Sequence, residues 1–320
     1  MKSQEKVTAF RKGEIKRNRG KGNMGMDACT LCPRMCGVNR AAGEKGYCGM
    51  DATIRAARAA LHMWEEPCIS GTRGSGAVFF SGCSLRCIFC QNFEIAEGNC
   101  AKEISGERLS EIFLELQEQG AANINLVTAA HYVPAVIESL KKAKAQGMDL
   151  PVIYNSSGYE RVETVQMLEE VVDVWLPDFK YMDSNLAFAY SRAKDYPEVA
   201  RAAIREMMKA AGTCAYDEDG YIQKGVIVRH LILPGHTKNS IAVLDELYGT
   251  YGDDLTISLM NQYTPLPQVR NIPDLNRRVT KREYEKVLDH ALDLGITRGF
   301  FQEGGTAKES FIPLFDYEGL

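Results

Sequence analysis

The sequence has no apolar run near the roughly 20 residues that a helix needs to cross a bilayer. Its first 25 residues contain neither the apolar stretch nor the small-residue cleavage site of a secretory signal. The 320 residues carry 38 Lys and Arg against 42 Asp and Glu, so no overall positive charge is available to attract nucleic acid or anionic lipid. We therefore expect a cytoplasmic protein that has no membrane partner, and a nucleic-acid partner is not favoured.

The charge of the chain is distributed unevenly. Residues 1–25 contain eight Lys and Arg against two Glu, although the whole chain has a net charge of −4. A short polar stretch with a high net charge does not bury enough apolar surface to fold by itself. We predict a basic, disordered tail at residues 1–25, with a basic docking arm as the alternative.

Short apolar runs alternate with amphipathic helical patterns over most of the remaining chain. The runs are continuous rather than alternating, which is typical of parallel strands that are covered on both faces. They lie at residues 76–80, 124–128, 151–155, 172–179, 226–233 and 255–263. Strands that alternate with helices form βαβ units, so the pattern predicts an α/β fold. A barrel-like sheet and an open doubly wound sheet both fit it, and both place functional residues at the carboxyl ends of the strands.

We divide the chain into four parts on this basis. The basic tail at 1–25 is followed by a cysteine-rich, metal-binding segment at 26–68. A barrel-like α/β domain is predicted at 69–305, and a C-terminal tail at 306–320.

The ten cysteines fall into groups, and none lies beyond residue 214. Disulfide frameworks belong to small secreted domains, so metal binding is the better explanation in a chain of this size. Cys83, Cys87 and Cys90 form a C-x3-C-x2-C pattern after the first apolar run. Thiolates select iron–sulfur clusters or zinc, and structural zinc takes four ligands. Three thiolates on a 4Fe–4S cluster leave one iron open to another molecule. Cys100 as a fourth ligand of a closed electron-transfer cluster is the alternative.

The stretch "CSLRCIFC" resembles the cluster motif of the radical S-adenosylmethionine superfamily, including the aromatic Phe89 before the last cysteine. The resemblance implies a partial (β/α)6 barrel like that of triosephosphate isomerase, and a 4Fe–4S cluster whose open iron binds S-adenosylmethionine. It also implies reductive cleavage of that cofactor to methionine and a 5′-deoxyadenosyl radical, which abstracts a hydrogen atom from a substrate. From about Cys29 onward the chain is similar to a subfamily labelled as resembling pyruvate formate-lyase-activating enzyme. Such proteins imply a reductant such as flavodoxin or ferredoxin, and a protein substrate.

Two pairs of residues near strand ends match positions of this family. Asp178 and Lys180 in "LPDFK" align with a segment that touches the cofactor, where a carboxylate suits ribose hydroxyls and an ammonium suits the methionine carboxylate. An exposed ion pair is the alternative. Arg229 and His230 precede "LILPG" and match the family's Arg-containing fifth strand. A charged Arg within an apolar strand needs a partner, which is either the cofactor or a core salt bridge.

One motif of the family is missing. Its members usually carry Gly-Gly-Glu after the second strand, to receive the methionine amino group, but this chain has "VTAAHY" at 127–132, with no acid. Thr128 and His131 are the candidates for part of that role. Asn155 and Ser156 are candidates for the same pocket, with ordinary turn chemistry as the alternative.

A second group of cysteines lies upstream. Cys29, Cys32, Cys36 and Cys48 offer four thiolates within twenty residues, which is enough to close a structural or electron-carrying site. Zinc and an auxiliary 4Fe–4S cluster both fit this spacing. Reduced free thiols are the alternative, although such grouping does not suggest them.

Two classes of function follow. The favoured one is an enzyme that cleaves S-adenosylmethionine and abstracts a hydrogen atom, from a protein glycine of a glycyl radical enzyme or from a small molecule or peptide. The other is a non-catalytic iron–sulfur electron carrier or a zinc-dependent binding protein. The acidic body and the row of polar strand ends argue against the second class, because a binding protein needs neither.

Overall fold

A computed structural model of the chain describes residues 26–302 and 313–320. The predicted basic tail at 1–25 lies outside the described residues. Ten strands form one sheet: β1 (Arg55–His62), β2 (Ser75–Phe80), β3 (Lys102–Glu103), β4 (Ile124–Val127), β5 (Val152–Ser156), β6 (Val174–Pro177), β7 (Ala215–Tyr216), β8 (Ile222–Leu231), β9 (Thr256–Met260) and β10 (Gly299–Phe301).

Nine α-helices lie among the described residues: α1 (Pro67–Ser70), α2 (Phe93–Ala96), α3 (Gly106–Glu118), α4 (Val133–Ala145), α5 (Val162–Leu168), α6 (Ser184–Ser191), α7 (Tyr196–Ala211), α8 (Thr237–Tyr251) and α9 (Lys281–Asp293). The capping box predicted for the last of them is present, since Thr280 and Glu283 exchange side-chain and backbone hydrogen bonds. None of the described helices combines the length and the apolar character needed to cross a membrane.

The sheet is mainly parallel. Its strand order is β10-β9-β8-β6-β5-β4-β2-β1-β3, and the strands from β10 to β2 pair in parallel. β1 runs antiparallel to β2, β3 runs antiparallel to β1, and β7 adds a short antiparallel pairing to β8. Within the described residues no pairing joins β10 to β3, so the sheet does not close. The predicted α/β class is confirmed, and all six predicted strands are present.

Side chains alternate between two faces of this sheet. Outward residues such as Tyr154, Trp175 and Val228 pack in the main core together with residues of the long helices. On the inner face, Ile153, Val174 and Ile227 form a separate cluster. The inner face at the carboxyl ends of the strands is left to polar side chains, which border a cavity.

Two segments join the sheet from outside the predicted domain limits. The sheet begins at residue 55 rather than 69, because β1 pairs along β2. Residues 313–320, which we expected to be a tail, run beside β1, where Ala59 N–H donates to the Glu318 carbonyl at 2.8 Å and Tyr317 N–H donates to that of Ala57 at 3.0 Å. Gly319 approaches so closely that a Cβ there would lie 2.0 Å from the Ala59 oxygen.

Candidate active site at the carboxyl ends of the strands

The three grouped cysteines lie on the loop that follows β2. Gly82 begins this loop with φ of +90°, and a Cβ there would lie 2.4 Å from Met50 Cγ and 2.9 Å from the Cys48 carbonyl oxygen. Only glycine fits this approach without a shift of the neighbouring chain. Cys83 Sγ lies 3.3 Å from the Leu85 amide nitrogen, and backbone N–H groups at that position stabilise a thiolate.

Cys87 and Cys90 are held in a less polar environment. Burial raises the pKa of both thiols, the neighbouring cysteines raise it further, and the Lys180 ammonium acts in the opposite direction. The Ser191 hydroxyl donates to Cys87 Sγ at 3.0 Å. Such thiols keep their protons until a metal replaces them, because metal binding releases protons from its ligands.

Across the residues that the structure describes, no three cysteine, histidine or acidic side chains stand in the arrangement of an assembled metal site. The surroundings of the trio nevertheless suit a cluster. All three sulfur-bearing side chains border one cavity, a backbone amide and a hydroxyl donate to two of them, and a cation stands beside them.

The cavity has a volume of about 310 Å³. It brings together most of the residues predicted from the sequence. Those that line it are Cys83, Cys87, Phe89, Cys90, Thr128, Asn155, Ser156, Asp178, Lys180 and Arg229. Thr128 stands in the left-handed region, with φ of +62°, and its N–H donates to the Asn155 carbonyl at 2.9 Å. The expected convergence of strand ends is therefore present in the fold.

Asp178 and Lys180 form an ion pair inside the cavity. Lys180 Nζ lies 2.5 Å from Asp178 Oδ2. Burial acts to lower the pKa of Lys180, but Asp178 and the cysteines outweigh it and the pKa is raised. The Tyr196 hydroxyl accepts from the Lys180 N–H at 2.9 Å and lies 3.0 Å from the Asp178 carbonyl oxygen. This tyrosine fixes the backbone of the segment, so the ammonium stays close to the cysteine loop.

Arg229 forms the core salt bridge that we had considered, and it also borders the cavity. Its Nη1 donates to Glu65 Oε2 at 2.8 Å, and its Nη2 donates to Asn155 Oδ1 at 2.5 Å. Its Nε lies 3.6 Å from Asp178 Oδ1. The guanidinium therefore connects Asn155, which lines the cavity, to the carboxylates of Glu65 and Asp178.

The two predicted histidines lie outside the cavity. His230 follows the inward Arg229 on β8 and so points to the opposite face, where its ring nitrogens lie 2.6 Å from the Phe179 carbonyl oxygen and 2.9 Å from Ser240 Oγ. His131 is buried, and its Nε2 lies 2.7 Å from the Ser81 carbonyl oxygen. Burial lowers the pKa of His131 to about 3 and that of His230 to about 4, so both rings are neutral.

Sequence reasoning missed several residues of the cavity. The most important are Glu65 and Glu66, which enter it from the segment before α1. The available signal was a pair of acids directly before Pro67, in a segment between two strands. Ser258 also lines the cavity.

The four upstream cysteines lie in a compact segment beside this site. Cys29, Cys32 and Cys48 are buried and Cys36 is partly buried. Tight turns bring them together, since Cys29 N–H donates to the Val38 carbonyl at 2.9 Å. Burial raises the pKa of Cys32 and Cys48, and the nearby cysteines contribute to the rise.

This segment packs on the cysteine loop. The Arg34 guanidinium donates to the Ser84 carbonyl at 2.9 Å and to the Ser191 carbonyl at 2.8 Å. Arg40 is buried and donates from Nη1 to the His131 carbonyl and from Nη2 to the Asp51 carbonyl, both at 2.5 Å. The segments that carry the two groups of cysteines are thus in contact, although the upstream cysteines do not line the cavity.

Comparison with known proteins finds that part of the chain is similar to an iron–sulfur family. Residues 70–193, which include all three loop cysteines, match the family of 4Fe–4S single cluster domains. The chain is also similar to the uncharacterized protein MJ0674 of Methanocaldococcus jannaschii, with 29% identity over 270 residues, covering 82% of this chain and 74% of that protein.

Two solved structures are similar to part of this chain. SuiB from Streptococcus suis, bound to S-adenosylmethionine, matches with a TM-score of 0.47 and 13% identity, over 70% of this chain and 49% of that one. A domain of pyruvate-formate lyase-activating enzyme from Bacteroides vulgatus matches with a TM-score of 0.38 and 17% identity, over 54% of this chain and 92% of that domain. The chain therefore spans about half the length of SuiB.

The family match confirms the 4Fe–4S domain predicted from the sequence. It agrees with the iron–sulfur cluster that the resemblance of the cysteine loop implies.

Proposed function

We propose that this protein cleaves S-adenosylmethionine reductively, with a 4Fe–4S cluster held by Cys83, Cys87 and Cys90, and abstracts a hydrogen atom from a substrate. When bound, the cluster supplies one electron that breaks a carbon–sulfur bond of S-adenosylmethionine, giving methionine and a 5′-deoxyadenosyl radical. The observation that carries the proposal is that three thiols of one loop and a buried ammonium–carboxylate pair border one cavity. A closed electron-transfer site has no need of such a cavity.

The residues around the loop suit the polar groups of that cofactor. Lys180 offers an ammonium for its carboxylate, and Asp178 offers a carboxylate for its ribose hydroxyls. Thr128 and Ser156 also line this space, and Ser156 Oγ accepts from the Gly158 N–H at 3.3 Å. His131 and His230 take no part in this arrangement, because their rings bond to backbone and Ser240 elsewhere.

The test is anaerobic reconstitution of the full chain, reduction with dithionite and measurement of 5′-deoxyadenosine formed from S-adenosylmethionine. We expect formation by the wild type and its loss in Cys87→Ala. Cys100→Ala is the matched control, since Cys100 packs against the small apolar cluster that contains Ala57 and Ile95 and does not line the cavity. Intact S-adenosylmethionine with a fully loaded wild type would contradict the proposal. Loss of the cluster in Cys100→Ala would favour the closed four-thiolate alternative.

The target of the radical belongs to this proposal as well. We infer that the radical acts on the glycine of a glycyl radical enzyme, with a small molecule or a peptide as the alternative substrate, and that a flavodoxin or ferredoxin is the reductant. The resemblance to activating enzymes supports the first candidate. The test is electron paramagnetic resonance after incubation with pyruvate formate-lyase: a new glycyl radical doublet supports it, and its absence with an active preparation points to another substrate.

We also propose that Cys29, Cys32, Cys36 and Cys48 close a metal site, which the surroundings of Arg40 favour. This guanidinium is 1% exposed and lies 3.9 Å from Cys29 Sγ. Among the described residues no carboxylate lies within ion-pair distance of it. A buried cation without an anion is costly, and a metal bound by four thiolates carries the negative charge that would balance it.

Metal analysis identifies the occupant of this second site. A variant in which Cys83, Cys87 and Cys90 are all Ala removes the loop cluster, so its remaining metal reports on the upstream cysteines. Zinc in that variant indicates a structural site, and iron with sulfide indicates an auxiliary cluster. A metal-free protein would contradict the proposal.

We also infer a cytoplasmic location. All ten cysteines are free of disulfide bonds in the structure, and the cytoplasm keeps thiols reduced.

A further inference from the structure

The last residue of helix α6 contacts the cysteine loop through its side chain. Ser191 is fully buried, and its hydroxyl donates to Cys87 Sγ at 3.0 Å. A serine within a helix often donates to the carbonyl four residues earlier, as Ser139 on α4 does to Ala135 at 2.9 Å. Ser191 instead gives its single O–H to a sulfur of the proposed cluster site.

The position of Ser191 is fixed by contacts of the backbone around it. The Ile88 N–H, in the cysteine loop, donates to the Tyr190 carbonyl at 2.9 Å and so holds the loop against the end of α6. Arg34 donates from Nη2 to the Ser191 carbonyl at 2.8 Å and from Nε to the Ser84 carbonyl at 2.9 Å. The end of the helix and the cysteine loop are therefore joined by contacts that do not involve a metal.

A second hydroxyl orients the first. Tyr181 is fully buried, and its hydroxyl oxygen lies 2.8 Å from Ser191 Oγ. Because the one hydroxyl proton of Ser191 goes to the sulfur, the tyrosine O–H is the donor of this contact. Burial raises the pKa of Tyr181, and the nearby Cys87 raises it further, so the phenol keeps its proton. A chain of donors therefore runs from Tyr181 through Ser191 to Cys87 Sγ.

Such a chain acts on the charge of the sulfur. A hydrogen bond stabilises a thiolate, and it does so more strongly away from water, where Ser191 and Tyr181 lie. An added electron makes an iron–sulfur cluster and its sulfur ligands more negative, so the same hydrogen bond stabilises the reduced cluster more than the oxidised one. Hydrogen bonds to the sulfurs are accordingly among the factors that set the reduction potential of such clusters.

We propose that Ser191 is a positioning residue that, oriented by Tyr181, donates to the Cys87 thiolate and raises the reduction potential of the 4Fe–4S cluster on the loop. The electron comes from the reductant of the proposed function, and no covalent bond is made or broken in this step. The inference deepens the proposed function, on which it rests for the cluster. It gives two residues that do not line the cavity a part in the electron transfer that precedes cleavage.

The experiment measures the reduction potential of the full chain after anaerobic cluster reconstitution and without S-adenosylmethionine. Potentiometric titration followed by electron paramagnetic resonance gives the potential. The signal of the loop cluster is the one that disappears when Cys83, Cys87 and Cys90 are all Ala. We expect Ser191→Ala to keep the iron content and to lower the potential of this signal by about 59 mV, which is a tenfold loss in the equilibrium constant for one-electron reduction.

The matched control is Ser139→Ala. Ser139 is also a buried helical serine, and its hydroxyl bonds to the carbonyls of Gly106 and Ala135 rather than to a sulfur, so its loss should leave the potential unchanged. Ser191→Thr keeps the hydroxyl and should retain most of the wild-type potential. Tyr181→Phe should lower the potential less than Ser191→Ala does, and it should add nothing to that change in the double variant, because Tyr181 acts through Ser191.

An unchanged potential in Ser191→Ala with full iron content would overturn the proposal, and so would an equal fall in Ser139→Ala. If Ser191→Ala did not hold the cluster, an unchanged potential in Tyr181→Phe would overturn it instead. Formation of 5′-deoxyadenosine is measured separately on the wild type. A shifted potential without cleavage would refute the proposed reaction and leave the role of Ser191 standing, whereas cleavage with no shift in the variants would do the reverse.

Discussion

The two groups of cysteines differ in what surrounds them. Cys83, Cys87 and Cys90 line a cavity of about 310 Å³ that also holds polar side chains from several strands. Cys29, Cys32 and Cys48 are buried among residues 26–54, none of which lines that cavity. Three ligands beside open space suit a cluster that reacts, and four ligands in a closed segment suit a metal that stabilises. The group with three cysteines is therefore the accessible one, and the group with four cysteines is the more buried one.

The cations beside the two groups differ in the same way. Lys180, at the open site, is paired with Asp178, so its charge is balanced without any metal. Arg40, at the closed site, bonds only to backbone carbonyls and a cysteine sulfur among the described residues. In the proposed arrangement, the metal of the closed site balances the charge of Arg40, whereas Lys180 is balanced by Asp178 without a metal. We expect loss of metal to damage folding at the closed site and catalysis at the open one.

The largest effect on stability should come from the closed site. Cys32→Ala removes one of four ligands, and we expect it to lower the free energy of unfolding by roughly 3–5 kcal/mol, because a bound metal stabilises only the folded segment. Urea denaturation of the protein under anaerobic conditions, with metal analysis, measures this. Cys214→Ala is the control, since Cys214 lies far along the chain near β8. Equal losses in the two variants would contradict a closed metal site.

The buried cation provides the next test. Arg40→Met should destabilise the protein by about 2–3 kcal/mol, because it removes two charge-assisted hydrogen bonds and the counter-charge of the thiolates. The metal content should fall as well, whereas Arg34→Met, which removes a guanidinium from the neighbouring contact with the loop, should leave the metal content unchanged. Metal titration by competition with a chelator measures the difference. Full metal affinity in Arg40→Met would show that the guanidinium is only a packing residue.

The stability of the region between the two sites should depend on pH, because a buried histidine lies there. The His131 ring bonds through Nε2 to the Ser81 carbonyl oxygen, and the His131 carbonyl accepts a hydrogen bond from Arg40. Burial lowers its pKa from the ordinary 6.5 to about 3, so the unfolded chain takes up the proton first as the pH falls. The stability that neutral His131 provides is therefore present above about pH 6.5 and is lost progressively towards pH 3.

Between pH 7 and pH 5 this loss should amount to about 2 kcal/mol in the wild type. His131→Gln keeps a donor for the Ser81 carbonyl but does not titrate, so its stability should fall less over the same interval. Urea denaturation at the two pH values measures both changes. Parallel losses in the wild type and the variant would show that His131 is not the group responsible.

The sequence predicted the strands of the sheet and the open site well, for a physical reason. Parallel strands that are buried on both faces must be continuously apolar, and their carboxyl ends meet, so the cysteine loop and Asp178 could be placed on one rim. β1 was missed because "RAARAALH" is rich in Ala and Arg, which are not typical of strands.

The side of the sheet on which each residue lies was harder to predict. Arg229 and His230 are adjacent and both looked suited to the cofactor, but successive residues of a strand point to opposite faces, and only Arg229 lines the cavity. Glu65 and Glu66 were missed because their position inside the sheet depends on where α1 packs, which is a tertiary contact that no local pattern encodes.

The smallest expected effect concerns the paired cation of the open site. Lys180→Met removes the ammonium but none of the thiols, so the cluster should assemble normally, with unchanged absorbance and iron content. Binding of S-adenosylmethionine should weaken about tenfold, because an ion pair with its carboxylate would be lost. Lys180→Arg should recover part of the affinity, since it keeps the charge. Equilibrium dialysis of the reconstituted, unreduced protein measures the constants. If Lys180→Met failed to hold the cluster, the open site would depend on its neighbouring cation as the closed one does, and the distinction between the two groups of cysteines would lose its electrostatic basis.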